Sequence, residues 1–92
     1  MRILGSDKME AFRPTDRIAR KALAKWEKAV LGSAWANFSE LKRTFNSADH
    51  VKPNTIFDVG GNKYRVIARI NYELQTVAIQ HVLTHAEYDK GG

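Results

Sequence analysis

The chain has 92 residues, of which 43% are hydrophobic and 27% charged, so it can form one small domain with a modest core. This length excludes a multidomain enzyme and a complete dinucleotide-binding fold. Lys and Arg number 15 against 10 Asp and Glu, and the resulting net charge of +5 indicates an anionic partner such as nucleic acid. The chain contains no cysteine, which excludes disulfides, thiol catalysis and thiolate zinc sites.

We expect neither a signal peptide nor a membrane span in this sequence. Its first residues contain only a short apolar run, Ile3-Leu4, before polar residues return. No stretch approaches the roughly 18 uninterrupted apolar residues that a spanning helix needs. We therefore expect a single domain, residues 1–92, that lies in the cytoplasm and has no membrane partner.

The first half of the chain has the periodicity of helices. Residues 2–4 predict a short strand and residues 7–12 a short helix. Between Thr15, a candidate N-cap, and Gly32, a candidate stop, apolar residues recur at three- and four-residue steps. These apolar positions are Ile18, Ala19, Ala22, Leu23, Trp26, Ala29 and Val30. A further short helix is predicted around Phe38 to Phe45, with Trp35 in the core.

The long helix is amphipathic and its outer side is basic. The residues on that side are Arg17, Lys21, Lys25 and Lys28, with Arg20 at the edge. Two interpretations stay open. The basic side is a docking surface for RNA or an acidic protein, or it is a solvated helix face that keeps the protein soluble.

Beyond a loop over residues 46–54, the hydrophobic period changes to two, which is typical of strands. Strands are predicted over residues 55–59, 63–72 and 76–83, with a tight turn at residues 60–62. In the second of these strands, Lys63, Arg65 and Arg69 share one face with Ile67 and Asn71. The opposite, apolar face consists of Tyr64, Val66, Ala68, Ile70 and Tyr72.

The register of the last strand decides which of its residues join each face. Pairing Tyr72 with Val77 places Val77, Ile79 and Leu83 on the apolar face, together with His81. The residues Ala78, Gln80, Val82 and Thr84 then line the basic face. We predict an α+β fold in which a small antiparallel sheet packs one face on the N-terminal helices and leaves the basic face open.

Candidate catalytic residues follow the last predicted strand. Cleavage of RNA needs no metal when one group deprotonates the ribose 2′-hydroxyl, cations stabilise the phosphorane, and another group protonates the leaving oxygen. His85 and Tyr88 are candidates for the acid and the base. The candidate cations for the phosphate are Arg65, Arg69, Lys63 and Lys90.

Each of these residues also has a structural interpretation. His85 can hydrogen-bond the backbone at a strand end, and Tyr88 can cover the core. Asp58 or Glu73 can form a salt bridge with one of the two strand arginines. The three histidines lack metal-ligand spacing, so we expect no metal and no cofactor.

Two segments, residues 57–72 and 84–90, resemble the HigB family of type II toxin–antitoxin toxins. They contain a glycine-glycine-asparagine turn at 60–62 and a Thr-His-x-Glu-Tyr-Asp pattern at 84–89. The resemblance implies a RelE/ParE-like fold and an mRNA interferase that cleaves messages, commonly on the ribosome. It also implies a helix-turn-helix antitoxin, similar to HigA, as the inhibitory partner.

The resemblance assigns Arg65 to the scissile phosphate and matches His85 and Tyr88 to the family's terminal histidine and tyrosine. The chain departs from the family at Gln80, where members often carry an arginine, so one cation is missing from the basic face. Two other functions remain open. One is a non-catalytic RNA- or ribosome-binding module, and the other is a gyrase-directed toxin of the same superfamily.

Overall fold

The computed structural model describes residues 1–12, 17–60 and 63–91, without the side chains of residues 11, 12 and 89–91. The predicted N-cap Thr15 and the turn residues Gly61 and Asn62 lie outside the described residues. In chain order the helices and strands are β1 (Arg2–Leu4), α1 (Asp7–Phe12), α2 (Arg17–Leu31), α3 (Phe38–Thr44), β2 (Asp49–Val51), β3 (Asn54–Val59), β4 (Tyr64–Asn71), β5 (Thr76–Thr84) and α4 (His85–Gly91).

Within the described residues, the strands form a five-stranded sheet in the order β1-β5-β4-β3-β2. The pairs β2/β3, β3/β4 and β4/β5 are antiparallel, whereas β1 runs parallel to β5. The α+β class is confirmed, and β1 makes the sheet mixed rather than antiparallel. β2 lies within the predicted loop, because its three residues, Asp49–Val51, are too few and too polar for alternation to show.

The core lies between the sheet and the N-terminal helices. α1 packs against β5, and α2 packs against β1 and β3. α2 buries Ala19, Leu23, Trp26 and Val30. Ile18 was expected in this set but is 70% exposed, because the buried stripe is narrow and Ile18 lies about 100° around the helix from Ala19.

Aromatic rings join the helices to the central strands. Phe57 on β3 is fully buried and meets the ring of Trp26 edge to face at 5.2 Å. Phe45 meets Phe57 in the same manner at 5.2 Å, and Trp35 meets Phe45 at 5.8 Å. Such T-shaped pairs add to the stabilisation from buried area, so this cluster fixes β3 against α2.

The register of β5 differs from the predicted one by two residues at its start. Val77 opposes Ile70 rather than Tyr72, which leaves Val77 and Ile79 on the core side as expected. Both are almost fully buried, at 0% and 2% exposure. A shift of an even number of residues keeps every side chain on its predicted face.

Beyond Ile79 the faces of β5 are exchanged by a β-bulge. Ala68 pairs with Ile79 and Ile67 with His81, so Gln80 is an extra residue in β5. Val82 consequently lies in the core at 8% exposure, whereas His81 is exposed. The prediction that put His81 and Leu83 in the core and Val82 on the basic face is wrong, because one extra residue inverts the alternation of the strand.

We call the face of β3, β4 and β5 that points away from α2 the site face. It bears Asp58, Arg65, Ile67, Arg69 and His81. This face was expected to be open. α4 contacts β4 and β5 and covers the end of the site face near Arg65, which leaves the end near Arg69 exposed.

Candidate active site

Arg65 is held in place by the strand next to it. It lies opposite Asp58 of β3, and its Nε donates to Asp58 Oδ1 at 3.0 Å. The side chains of Arg65 and Asp58 are only 9% and 23% exposed. Of the two possible partners for a strand arginine, Asp58 and Glu73, the structure thus pairs Asp58 with Arg65. Direct cross-strand pairing of opposite charges fixes the guanidinium on the site face.

His85 contacts the far side of the same guanidinium. Arg65 Nη2 lies 2.7 Å from Nδ1 of His85, the first residue of α4. A guanidinium has donors and no acceptor, so Nδ1 of His85 is the acceptor and carries no proton in this contact. The histidine side chain therefore contacts a cation on the site face.

Tyr88 reaches Arg65 from one turn further along α4. The ring centroid of Tyr88 lies 5.7 Å from Arg65 Cζ, within the range of cation–π attraction. Tyr88 is half-buried by this contact with the site face. The structure thus gathers Arg65, His85 and Tyr88 into one cluster at the end of β4.

A capping box at the start of α4 orients this cluster. The N–H of Glu87 donates to Thr84 Oγ1 at 3.1 Å, and the N–H of Thr84 donates to Glu87 Oε1 at 3.0 Å. Hydrogen bonds that the Glu87 carboxyl makes with Thr84, first with its backbone N–H and then with its side chain, lower the pKa of this carboxyl. Sequence reasoning missed α4, although Thr-x-x-Glu at residues 84–87 is the pattern of such a box.

The remaining candidate cations lie at different distances from the cluster. Lys63 is exposed, and its carbonyl accepts from the His85 N–H at 2.8 Å, so Lys63 flanks the start of α4. Arg69 is exposed on the site face four residues along β4 from Arg65, about 13 Å away at the rise of a strand. Lys90 is in α4, but its side chain lies outside the described part of the structure.

The basic residues of α2 do not join the cluster. Arg17, Lys21, Lys25 and Lys28 are all exposed. α2 packs on the core side of the sheet, so these cations lie in the layer opposite the site face. A partner bound to α2 and an RNA bound at Arg65 would therefore occupy different sides of the molecule.

None of the described His, Asp and Glu residues form a group of three or more that could hold a metal ion. Among the described helices, none is both long and apolar enough to cross a membrane.

Comparison with known proteins gives one consistent family. The family described as HigB_toxin, RelE-like toxic component of a toxin-antitoxin system, matches residues 19–91. The mRNA interferase HigB of Escherichia coli O6:H1 (strain CFT073) is 33% identical over 80 residues, which are 84% of this chain and 75% of that protein. The mRNA interferase toxin HigB of Escherichia coli (strain K12) is 44% identical over 52 residues, 53% of this chain and 50% of that protein.

The fold and the matched family together define the toxic component of a toxin–antitoxin system with a RelE-like fold. The match extends from α2 to α4 and so includes Arg65, His85 and Tyr88. The chain belongs to the HigB toxin family.

Proposed function

We propose that this HigB-family toxin inhibits translation by cleaving messenger RNA, with Arg65, His85 and Tyr88 as its catalytic residues. The observation that carries the proposal is the convergence of His85 and Tyr88 on one buried guanidinium, at 2.7 Å and 5.7 Å. Relatives named mRNA interferases support the activity. The proposed setting is a message on the ribosome, and the proposed inhibitor is a HigA-like helix-turn-helix antitoxin.

Arg65 stabilises the charge that develops on the phosphate. Its Nε is occupied by Asp58, so the guanidinium is already oriented before RNA arrives. Preorganised donors of this kind stabilise a transition state without the cost of reorganising solvent, and loss of one such donor costs about 10²–10³ in rate. Arg65 is therefore placed to donate to a non-bridging oxygen of the scissile phosphate.

His85 and Tyr88 divide the two proton transfers. One removes the proton from the ribose 2′-hydroxyl, whose oxygen attacks the adjacent phosphorus, and the other protonates the leaving 5′-oxygen. The products are a 2′,3′-cyclic phosphate and a 5′-hydroxyl. Nδ1 of His85 accepts from Arg65 before RNA binds, so a phosphate that takes over this donor releases Nδ1 for proton transfer.

Lys63, Arg69 and Lys90 are proposed to bind further phosphates of the RNA backbone. The α2 residues Arg17, Lys21, Lys25 and Lys28 are proposed to dock ribosomal RNA or the acidic part of the antitoxin. Their separation from the site face leaves the cluster accessible while α2 is engaged. Reversal of charge on α2 is expected to weaken this docking and leave the chemistry at Arg65 intact.

The experiment is mapping of cleaved message ends in a cell-free translation reaction. Arg65→Ala, His85→Ala and Tyr88→Phe are each expected to slow cleavage by about 10²-fold or more. His50→Ala is the matched control, because His50 is an exposed histidine on β2 whose ring lies 5.5 Å from Phe38, away from the cluster.

Unchanged cleavage by His85→Ala and Tyr88→Phe, together with lost RNA binding by Arg65→Ala, would make the protein a non-catalytic RNA-binding module. DNA damage without message cleavage on expression would instead indicate the gyrase-directed activity.

A further inference from the structure

His81 is presented on the site face by the bulge in β5. It pairs with Ile67, which lies between Arg65 and Arg69 on the same face of β4. Its side chain is exposed, and it makes no hydrogen bond, ion pair or ring contact with the other described residues. In a regular strand without the bulge, Gln80 would pair with Ile67 and this imidazole would point into the core.

The bulge presents His81 rather than Gln80 to solvent. Gln80 Nε2 donates to the carbonyl of Ala78 at 3.1 Å, so its amide is bonded to its own strand. Gln80 is half-buried, whereas His81 is exposed. Of the two polar side chains at the bulge, the imidazole is the one available to a ligand.

His81 lies between the two arginines of the site face. Arg65 and Arg69 are about 13 Å apart along β4, and His81 stands beside the midpoint on β5. Diagonal neighbours on adjacent strands have Cα atoms about 7–8 Å apart, so His81 is within reach of ligands held by either arginine. A strand whose scissile phosphate lies on Arg65 would pass His81 before it reaches Arg69.

We propose that His81 forms a second phosphate subsite, which binds the phosphate adjacent to the one cleaved. The subsite rests on the proposed function only for the position of the scissile phosphate at Arg65. An imidazole carries at least one N–H donor in each of its protonation states, and an N–H donor to a phosphate oxygen gives a charge-assisted hydrogen bond. His81 therefore contributes to RNA affinity, and Arg65, His85 and Tyr88 to the chemical step.

The test combines toxin titrations in cell-free translation with binding of a fluorescently labelled RNA oligonucleotide. His81→Ala is expected to raise the toxin concentration for half-maximal message cleavage about 5- to 30-fold and to weaken oligonucleotide binding by a similar factor. The cleavage rate at saturating toxin is expected to stay within about twofold of wild type. His81→Arg is expected to recover the affinity and His81→Phe is not.

His50→Ala is again the control, and thermal melting of each variant checks the fold. Wild-type titration curves for His81→Ala in both assays would overturn the subsite. Recovery by His81→Phe as complete as by His81→Arg would overturn the phosphate contact in favour of stacking on a base. If the wild type cleaves no message but His81→Ala still weakens oligonucleotide binding, the proposed function fails and the subsite stands.

Discussion

Replacement of Asp58 by asparagine tests whether the salt bridge with Arg65 positions the site. The change keeps the size of the side chain and removes the charge that faces Arg65 Nε at 3.0 Å. Two unit charges about 4 Å apart attract by about 4 kcal/mol at the effective dielectric constant of a protein surface. Asp58 is 23% exposed, and the asparagine oxygen can still accept, so the net loss of stability is about 1–2 kcal/mol.

That loss corresponds to a decrease in Tm of roughly 5–15 °C for a domain of this size. A guanidinium that is no longer oriented also stabilises the transition state less well, so the cleavage rate at saturating toxin is expected to fall about tenfold or more. Thermal unfolding followed by circular dichroism measures the first effect. Message cleavage well below both Tm values measures the second.

Glu73→Gln makes the same change of charge at an exposed residue between β4 and β5 and is the matched control. Its effect on stability is expected to stay within about 0.5 kcal/mol. The reasoning fails if Asp58→Asn is indistinguishable from Glu73→Gln in both Tm and saturating cleavage rate.

Two further predictions concern the segments that frame the sheet. Gly5 has φ +79°, and a Cβ there would lie 2.8 Å from the carbonyl oxygen of Ile79, so Gly5→Ala is expected to cost about 1–3 kcal/mol in urea unfolding. Gly32→Ala is the control, because a Cβ there would lie 3.5 Å from the Lys28 carbonyl oxygen, and it is expected to change the free energy of unfolding little. Equal losses of stability in the two variants would contradict the strain at Gly5. The pKa of Glu87 is lower in the folded state, so its stabilising effect is present above the unfolded value of about 4.3 and is lost as pH falls through the folded value. The protection of α4 amides against exchange, relative to their intrinsic rates at each pH, should therefore fall in acid for the wild type and not for Glu87→Gln. The same pH dependence of protection in both proteins would refute the role of the capping box.

Alternation along β4 predicted the exposed and buried sides of the central strand, because that strand is paired on both sides and regular around Arg65. The same reasoning failed along β5, because no single alternation fits the whole strand. One choice of faces buries Val77 and Ile79, and the opposite choice buries Val82. Gln80 and His81 are consecutive polar residues, and Val82 and Leu83 are consecutive apolar ones, so neither pair shows where the alternation reverses. A bulge is a property of strand pairing, and periodicity within one strand does not reveal it.

The candidate site was more predictable in its membership than in its geometry. The sequence placed Arg65 on one face of a strand and His85 and Tyr88 after the next strand. It could not show that α4 turns the last two residues onto Arg65, since that contact depends on tertiary packing. The Thr84–Glu87 pattern would have predicted the helix α4. The sequence also offered two possible salt-bridge partners for the strand arginines, and only the β3/β4 register shows that Asp58 is the partner of Arg65.

The short length of α4 bears on how the toxin loses activity. A seven-residue helix is far below the length at which isolated helices persist in water, so α4 depends on its cap and on the contact of Tyr88 with Arg65. Segments of this kind open with less free energy than the whole domain requires. Such an opening would withdraw His85 and Tyr88 while the aromatic core and the Asp58–Arg65 pair stay intact. Inactivation by mild heat or acid is therefore expected as a local, reversible step that precedes global unfolding.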